Sequence, residues 1–283
     1  MKASVVMPAK NEAATVATVV SAIRARYPDF EVIVVDDGSA DRTAELAREA
    51  GAKVVSHPYS KGNGAAIKSG ARAAAGDVIV FMDADGQHDP EDIARLLARI
   101  GEGYDLVVGA RQQGSQASVG RGLANGFYNR LATYMTGHEV EDLTSGFRAV
   151  RADKFREFLY LLPNGFSYPT TSTMAFFRAG YSVAYEPIHA AQRVGKSHIK
   201  PLKDGVRFLL IIFKIGTLYS PLKLFAPVSM LAFFIATLWY GYTLVMEGRF
   251  TNMSALLYTG SVMVFLMGLI SEQITALMYK ESR

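Results

Sequence analysis

Over the first two-thirds of the chain short apolar runs alternate with stretches of helical period, and in the last third long apolar runs replace them. Ala3 to Met7, Glu31 to Val35, Lys53 to Val55 and Val78 to Asp83 read as strands, each brief, rich in β-branched residues and closed by a polar turn. Between them the apolar positions recur at helical spacing. Val16, Val19, Val20 and Ile23 follow the turn from Pro8 to Glu12, Asp41 stands where a helix is capped, and Lys61-Gly62-Asn63-Gly64 opens a helix through about Ala75. Strands alternating with helices of this length predict right-handed crossovers and an α/β fold with a mainly parallel sheet covered on both faces. Ligands of such a sheet bind at the carboxyl ends of its strands.

Further along, Phe225 to Met246 carries no charged side chain and is long enough to cross a hydrocarbon layer of about 30 Å. Ala255 to Tyr279 is broken only by Ser271-Glu272-Gln273. The pair predicts a two-helix transmembrane hairpin joined through Glu247-Gly248-Arg249. Just before it, Pro201 to Leu218 is helical in period and gathers Lys200, Lys203, Arg207 and Lys214 on one arc, the pattern of an amphipathic helix lying in the membrane interface. The expected organisation is a globular domain over 1–199, an interfacial helix region over 200–223, and the hairpin with a short tail over 224–283. The opening apolar run is too short for a signal peptide and lacks a basic leader. Lysines and arginines cluster before the first span, whereas the hairpin connection has a single arginine, so the globular domain is expected in the cytoplasm at the cell membrane.

Composition narrows the chemistry. None of the 283 residues is cysteine, which excludes disulfides and thiolate metal sites and leaves oxygen and imidazole ligands. The net charge of +4 has its excess near the apolar segments, so anionic lipid headgroups rather than nucleic acid are the expected partner.

Three strand ends carry polar clusters: Asn11 and Glu12, Asp36 and Asp37, then Asp83 and Asp85. On one edge of one sheet they converge on a single cleft. In an extended segment residues i and i+2 face the same side, so Asp83, Asp85 and Gln87 present three oxygen ligands to one hard cation. No Gly-x-Gly-x-x-Gly follows the first strand, which argues against a dinucleotide fold. Gly62 and Gly64 instead mark a helix start able to receive a phosphate. Arg148 and Arg193 are candidates for bidentate phosphate contacts, the latter in the basic loop Arg193-Val-Gly195-Lys196-Ser197. His88 stands close enough to Gln87 to touch a diphosphate, while His57, His138 and His189 read as structural or exposed. No Ser-His-Asp or Gly-x-Ser-x-Gly arrangement supports a hydrolase.

Pro8 to Glu12, Val-Asp-Asp-Gly-Ser at 35–39, Lys-Gly-Asn-Gly-Ala at 61–65 and Asp-Ala-Asp-Gly-Gln-His at 83–88 together resemble family 2 glycosyltransferases with the GT-A fold. Downstream, Gly-Ala-Arg111, the segment from Arg121 to Arg130 and Asp142-Leu-Thr-Ser-Gly-Phe-Arg148 resemble the polyprenyl-phosphate glycosyltransferases, a group that includes dolichyl-phosphate mannose synthases and bacterial polyprenyl-phosphate glucosyltransferases. The resemblance implies a hexosyltransferase that uses a nucleotide-diphosphate sugar of the UDP-glucose or GDP-mannose type, a polyprenyl phosphate acceptor and Mg²⁺ or Mn²⁺. It makes Pro8, Lys10, Glu12, Asp37 and Lys61 donor contacts, and Asp83, Asp85 and Gln87 the metal and diphosphate site. Arg111 and Arg121 then face the acceptor phosphate with Asn125, Arg193 and Lys196. Asp85, Arg111 and Arg121 are the expected catalytic residues. Asn125 departs from the mannose synthases, which carry serine there, and puts the sugar and lipid in doubt more than the reaction. The rivals are a family 2 transferase acting on a glycan or glycolipid and a silent membrane scaffold subunit. The oligomeric state, monomer or homo-oligomer, stays open.

Overall fold

The computed structural model describes residues 1–111, 119–165, 168–189, 213, 216–217 and 219–280, with 119–125 and 279–280 described by their backbone. The chain divides into two compact units, Met1–Ile199 and Lys200–Arg283.

In the first unit a seven-stranded sheet runs in the order β3-β2-β1-β4-β6-β5-β7. Its strands are β1 (Ala3–Ala9), β2 (Glu31–Asp36), β3 (Lys53–Ser56), β4 (Val78–Phe81), β5 (Leu106–Arg111), β6 (Arg148–Arg151) and β7 (Val183–Ile188). The helices are α1 (Val16–Arg26), α2 (Thr43–Glu49), α3 (Asn63–Ala73), α4 (Asp92–Gly101), α5 (Val119–Thr136), α6 (Ala152–Arg156) and α7 (Tyr168–Arg178). β1 pairs in parallel with β2 and β4, β2 with β3, and β5 with β7, as the strand–helix alternation predicts. The central strands are buried on both faces, which is why Val5, Val6, Ile33, Val34, Ile79 and Val80 form unbroken apolar runs rather than an alternation.

The hydrophobic pattern left β5, β6 and β7 unread, and of these β6 lies antiparallel between β4 and β5. Its amino end, Arg148, sits in register with Phe81 at the carboxyl end of β4 and with Val108 of β5. The segment 142–147 leading into β6 is thereby brought to the edge where Asp83 and Arg111 emerge.

The second unit is a hairpin of α8 (Pro221–Glu247) and α9 (Asn252–Lys280), each with a window of mean hydropathy near that of membrane spans, 1.8 and 1.9. Gly248, at φ 66, ends α8 in the left-handed conformation and donates its N–H to Leu244 O, turning the chain into the short connection. Beyond Pro221 at its start, the buried positions are small: Ser229, Ala236 and Thr243 on α8, and Ser254, Ser261, Gly268 and Thr275 on α9, each series spaced by seven. A Cβ at Gly268 would stand 2.7 Å from Phe225 Cβ, so the two helices meet at backbone distance there. Outward-facing residues are large and apolar, among them Met230, Leu231, Val245 and Leu256. Glu272 accepts the N–H of Leu222 at 3.2 Å and so caps the first turn of α8 with a carboxylate. The hairpin is a membrane hairpin. The stretch 201–212, within the expected interfacial helix, lies outside the described residues.

Candidate active site

The ends of β1, β2 and β3 form one half of the site. Asp37 is 4% exposed, and its carboxylate accepts hydrogen bonds from His57 Nδ1 at 2.7 Å, Ser60 Oγ at 2.7 Å, Lys61 N at 2.8 Å and Gly62 N at 2.9 Å. Burial alone would raise its pKa, but these donors hold it below the usual aspartate value. His57 closes the arrangement by pairing Nε2 with Ser69 Oγ of α3 at 2.9 Å. Asp37 therefore fastens the 57–62 loop to the end of β2. Gly38, at φ +68, lies so close to the loop that a Cβ would meet the Tyr59 backbone at 2.7 Å. Lys10 Nζ donates to Ser60 Oγ at 2.9 Å. Asn11 holds the left-handed conformation at φ 57, with its side-chain oxygen accepting Ala40 N and its own N–H donating to Ser39 Oγ, both at 2.9 Å. Pro8 and Glu12 are half-buried, while Lys10 and Lys61 are exposed, Lys61 Nζ lying 5.7 Å from the Tyr59 ring centroid.

One expectation on this side is corrected. The start of α3 does not offer its amides to a phosphate: Gly64 N donates to Gly165 O at 3.1 Å and Ala65 N to Asn164 O at 2.9 Å. A Cβ on Gly62 or Gly64 would run into the backbone of Asn164 or Pro163. Those glycines serve the close approach of the 163–165 segment.

The other half is built from β4, β5 and β6. β4 ends at Phe81, two residues before Asp83, and the chain turns at 84–85 with Gly86 at φ 76. The segment is therefore not extended as the same-side argument assumed, and in the turn Ala84 is buried while Asp83, Asp85 and Gln87 are half-buried. Thr15 Oγ1 donates to Ala84 O at 2.7 Å and ties this turn to α1, and Asp85 Oδ1 accepts Gln87 N at 3.2 Å. Behind the turn, His88 stacks on Phe147 at 4.9 Å between ring centroids, with Nε2 4.0 Å from Asp83 Oδ2. Burial pushes the His88 pKa down to about 4, so the ring is neutral near pH 7. At 8% exposure it backs the carboxylates instead of facing the cleft, contrary to the diphosphate contact expected of it.

Arg111, the last residue of β5, forms a fork with Asp142: Nε to Oδ2 at 2.8 Å and Nη2 to Oδ1 at 3.0 Å, with Nη2 also donating to Thr144 Oγ1 at 2.6 Å. Burial would lower the Arg111 pKa, yet the Asp142 carboxylate raises it. Asp142 is itself held below the usual value, because burial is outweighed by Arg111 and by the N–H groups of Thr144 and Ser145. Asn129 fixes the same segment from α5, donating to Glu141 O and accepting Leu143 N at 3.1 Å. Asp142 and Asn129 were visible within their motifs, but spacing gave no sign that they clamp Arg111 and its loop.

Arg148 corrects another expectation. It is 0% exposed and spends its guanidinium on the start of α7, so it does not reach a phosphate. Arg121 and Asn125 fall in the first two turns of α5 and their side chains lie outside the described residues, as do Arg193 and Lys196.

Among the described residues no group of three or more histidine, aspartate or glutamate side chains is disposed to hold a metal ion. Asp83 and Asp85 nonetheless fit a hard cation whose remaining positions a ligand's own oxygens fill. They are oxygen donors, partly open, and the imidazole behind them carries no competing charge.

A family model described as glycosyl transferase family 2 matches residues 4–159, and one described as the GtrB C-terminal hairpin matches residues 220–277. The chain is 31% identical to the undecaprenyl-phosphate 4-deoxy-4-formamido-L-arabinose transferase of Pectobacterium carotovorum subsp. carotovorum, over 96% of this chain and 87% of that one. It is 30% identical to the dolichyl-phosphate hexose transferase of Haloferax volcanii, over 75% of this chain and 92% of that one. Among solved structures, glucosyl-3-phosphoglycerate synthase from Mycobacterium tuberculosis in complex with Mn²⁺ and UDP-glucose superposes with a TM-score of 0.60 at 27% identity, covering 76% of this chain and 78% of that one. The same synthase has been solved with Mg²⁺ and UDP.

Proposed function

Because the chain belongs to glycosyl transferase family 2 and ends in a GtrB-type hairpin, we propose that it transfers a hexose from a nucleotide-diphosphate sugar to a polyprenyl phosphate, dolichyl or undecaprenyl, at the cytoplasmic face of a membrane. The observation that carries this reading is the meeting of Asp83 and Asp85 with the clamped cation Arg111 at one sheet edge, in a chain whose other unit is an apolar hairpin. Relatives named for undecaprenyl and dolichyl phosphate support the acceptor. The synthase solved with UDP-glucose supports a nucleotide-sugar donor.

On this reading Pro8, Lys10, Glu12 and Lys61 contact the nucleotide, and Asp37 sets the loop that carries Lys61. Asp83, Asp85 and Gln87 hold Mg²⁺ or Mn²⁺, which supplies positive charge to the departing diphosphate. Arg111 and Arg121, with Asn125, Arg193 and Lys196, receive the acceptor phosphate. A phosphate monoester has a second pKa near 6, so at pH 7 it already presents an anionic oxygen and needs no general base. The protein's tasks are to align that oxygen with the anomeric carbon and to screen the repulsion between two phosphate groups. A single displacement with inversion follows, an α-linked donor giving a β-linked lipid.

The test is incubation of the full-length protein with a panel of nucleotide sugars, UDP-glucose and GDP-mannose among them, and polyprenyl phosphate, followed by mass spectrometry and anomeric analysis of the lipid. A β-hexosyl phosphoryl polyprenol is expected. Transfer to a diacylglycerol or glycan hydroxyl instead, a non-hexose product, or retention of configuration would overturn the proposal.

A further inference from the structure

Among the described residues Arg148 is the largest wholly buried side chain, and no carboxylate lies within ion-pair distance of it. Burying a guanidinium in this way is costly, and an apolar side chain of equal volume would serve the fold alone as well or better. Its contacts point elsewhere. One Nη donates to Pro169 O at 2.9 Å, Ser172 Oγ at 2.9 Å and Thr173 Oγ1 at 3.1 Å, and the other to Ser145 O. The guanidinium lies 5.6 Å from the Tyr168 ring centroid, and the Tyr168 hydroxyl donates to Gly146 O at 2.9 Å. Consecutive carbonyls, of Ser145 and Gly146, are thus fixed by Arg148 and by the ring that Arg148 covers. What they fix is the floor of the carboxylate site. A Cβ on Gly146 would stand 3.2 Å from Asp83 Oδ2, and the next residue, Phe147, carries the stacked His88 that backs the same carboxylate.

We propose that Arg148 is a positioning residue for the donor side of the site, holding the 145–147 segment against Asp83 so that the Asp83–Asp85 pair meets the metal and diphosphate in one fixed geometry. The charge acts in the same sense as the contacts: the buried guanidinium attracts the Asp83 carboxylate. Arg111 and Asp142 form their own fork, so the acceptor side depends less on Arg148. The inference rests on the assignment of Asp83 and Asp85 to the donor.

The experiment compares Arg148→Met, which keeps the volume and removes the fork, with Arg148→Lys, which restores charge but not planar geometry. Calorimetry on the full-length protein measures binding of Mn²⁺ together with the nucleoside diphosphate of whichever donor turns over in the panel, and kinetics give the polyprenyl-phosphate KM. Arg148→Met is expected to weaken Mn²⁺–nucleotide binding by about tenfold or more while changing the lipid KM by less than about twofold, with Arg148→Lys between it and the parent. Unchanged nucleotide affinity, or equal losses on both substrates, overturns the proposal. Should Arg148→Met fail to fold, Tyr168→Phe decides, since it removes only the bond to Gly146 O: nucleotide binding weakened by about threefold supports the role, and unchanged binding refutes it. Asp85→Ala in parallel separates the two readings. If it binds Mn²⁺–nucleotide like the parent, the donor-site assignment falls and the inference with it; if it loses binding while Arg148→Met does not, only the inference falls.

Discussion

Asp36-Asp37 and Asp83-Ala84-Asp85 both stand at the carboxyl end of a buried parallel strand and both precede a glycine, yet the protein uses them in opposite ways. Asp37 is enclosed, with two donors on each carboxylate oxygen, and Asp36 accepts Ser39 N at 3.1 Å. Asp83 and Asp85 are each half-buried rather than enclosed, and a neutral imidazole stands behind Asp83. A carboxylate enclosed with its acceptor capacity filled is a structural device, whereas one half-exposed at a sheet edge can be reached by a ligand. The difference lies in what returns to the strand end. The 57–62 loop folds back over Asp37, and the chain after Asp85 leads away into α4.

The contrast is broken most severely at Asp85. Asp85→Ala is expected to cut transfer by about a thousandfold or more, the several kcal/mol a metal ligand supplies to a leaving diphosphate, with the melting temperature unchanged. Residual turnover within tenfold of the parent, at saturating metal, would remove Asp85 from the site. Asp37→Ala should do the reverse. It strands His57, Ser60 and the N–H groups of Lys61 and Gly62, and should lower stability by about 2–4 kcal/mol in denaturant unfolding. A stable but inactive Asp37→Ala protein would mean that Asp37 touches the nucleotide itself.

The strands that carry these acids, and the two apolar helices, were legible because burial on both sheet faces and exposure to lipid each demand long apolar runs. The roles of the two acid pairs were not, since strand-end aspartates look alike until the chain that returns to them is known. β6 was hidden for a different reason: Arg148-Ala-Val-Arg151 is four residues with a cation at each end, and a buried arginine mimics a surface one in sequence. Gly62 and Gly64 misled similarly, because a glycine needed for backbone contact and one needed for phosphate approach are the same letter. The seven-residue spacing of Ser229, Ala236 and Thr243 against Ser254, Ser261, Gly268 and Thr275 stood in the sequence throughout. It goes unread if only the apolar content of a span is weighed, since in lipid it is small residues that mark where helices meet.

A gentler change sharpens the comparison on the open side. Gly146→Ala places a methyl group 3.2 Å from Asp83 Oδ2 and 3.4 Å from the Tyr168 hydroxyl, tight enough to displace the carboxylate but not to unfold the strand. Transfer should fall about tenfold, with most of the loss in the apparent donor KM. The corresponding change at Gly38 would instead collide with the Tyr59 backbone at 2.7 Å in a left-handed turn, and should act on stability. If Gly146→Ala altered only the melting temperature, the 145–147 segment would be scaffold alone.

The smallest expected effect is a pH signature of the closed pair. Burial acts to raise the Asp37 pKa, but the bonds from His57, Lys61, Ser60 and Gly62 prevail and the folded value lies below the unfolded one, about 3.9. A carboxylate with a depressed folded pKa contributes stability in full above its unfolded pKa, and loses it as the pH falls through that value toward the lower folded one. The parent should therefore lose stability more steeply below about pH 4 than Asp37→Asn, which cannot titrate there and keeps one acceptor oxygen. The two unfolding free energies should converge as acid protonates the parent, and separate again on returning to pH 6. Parallel curves across this range would mean that the Asp37 bonds survive protonation, and that the enclosure does not depend on its charge.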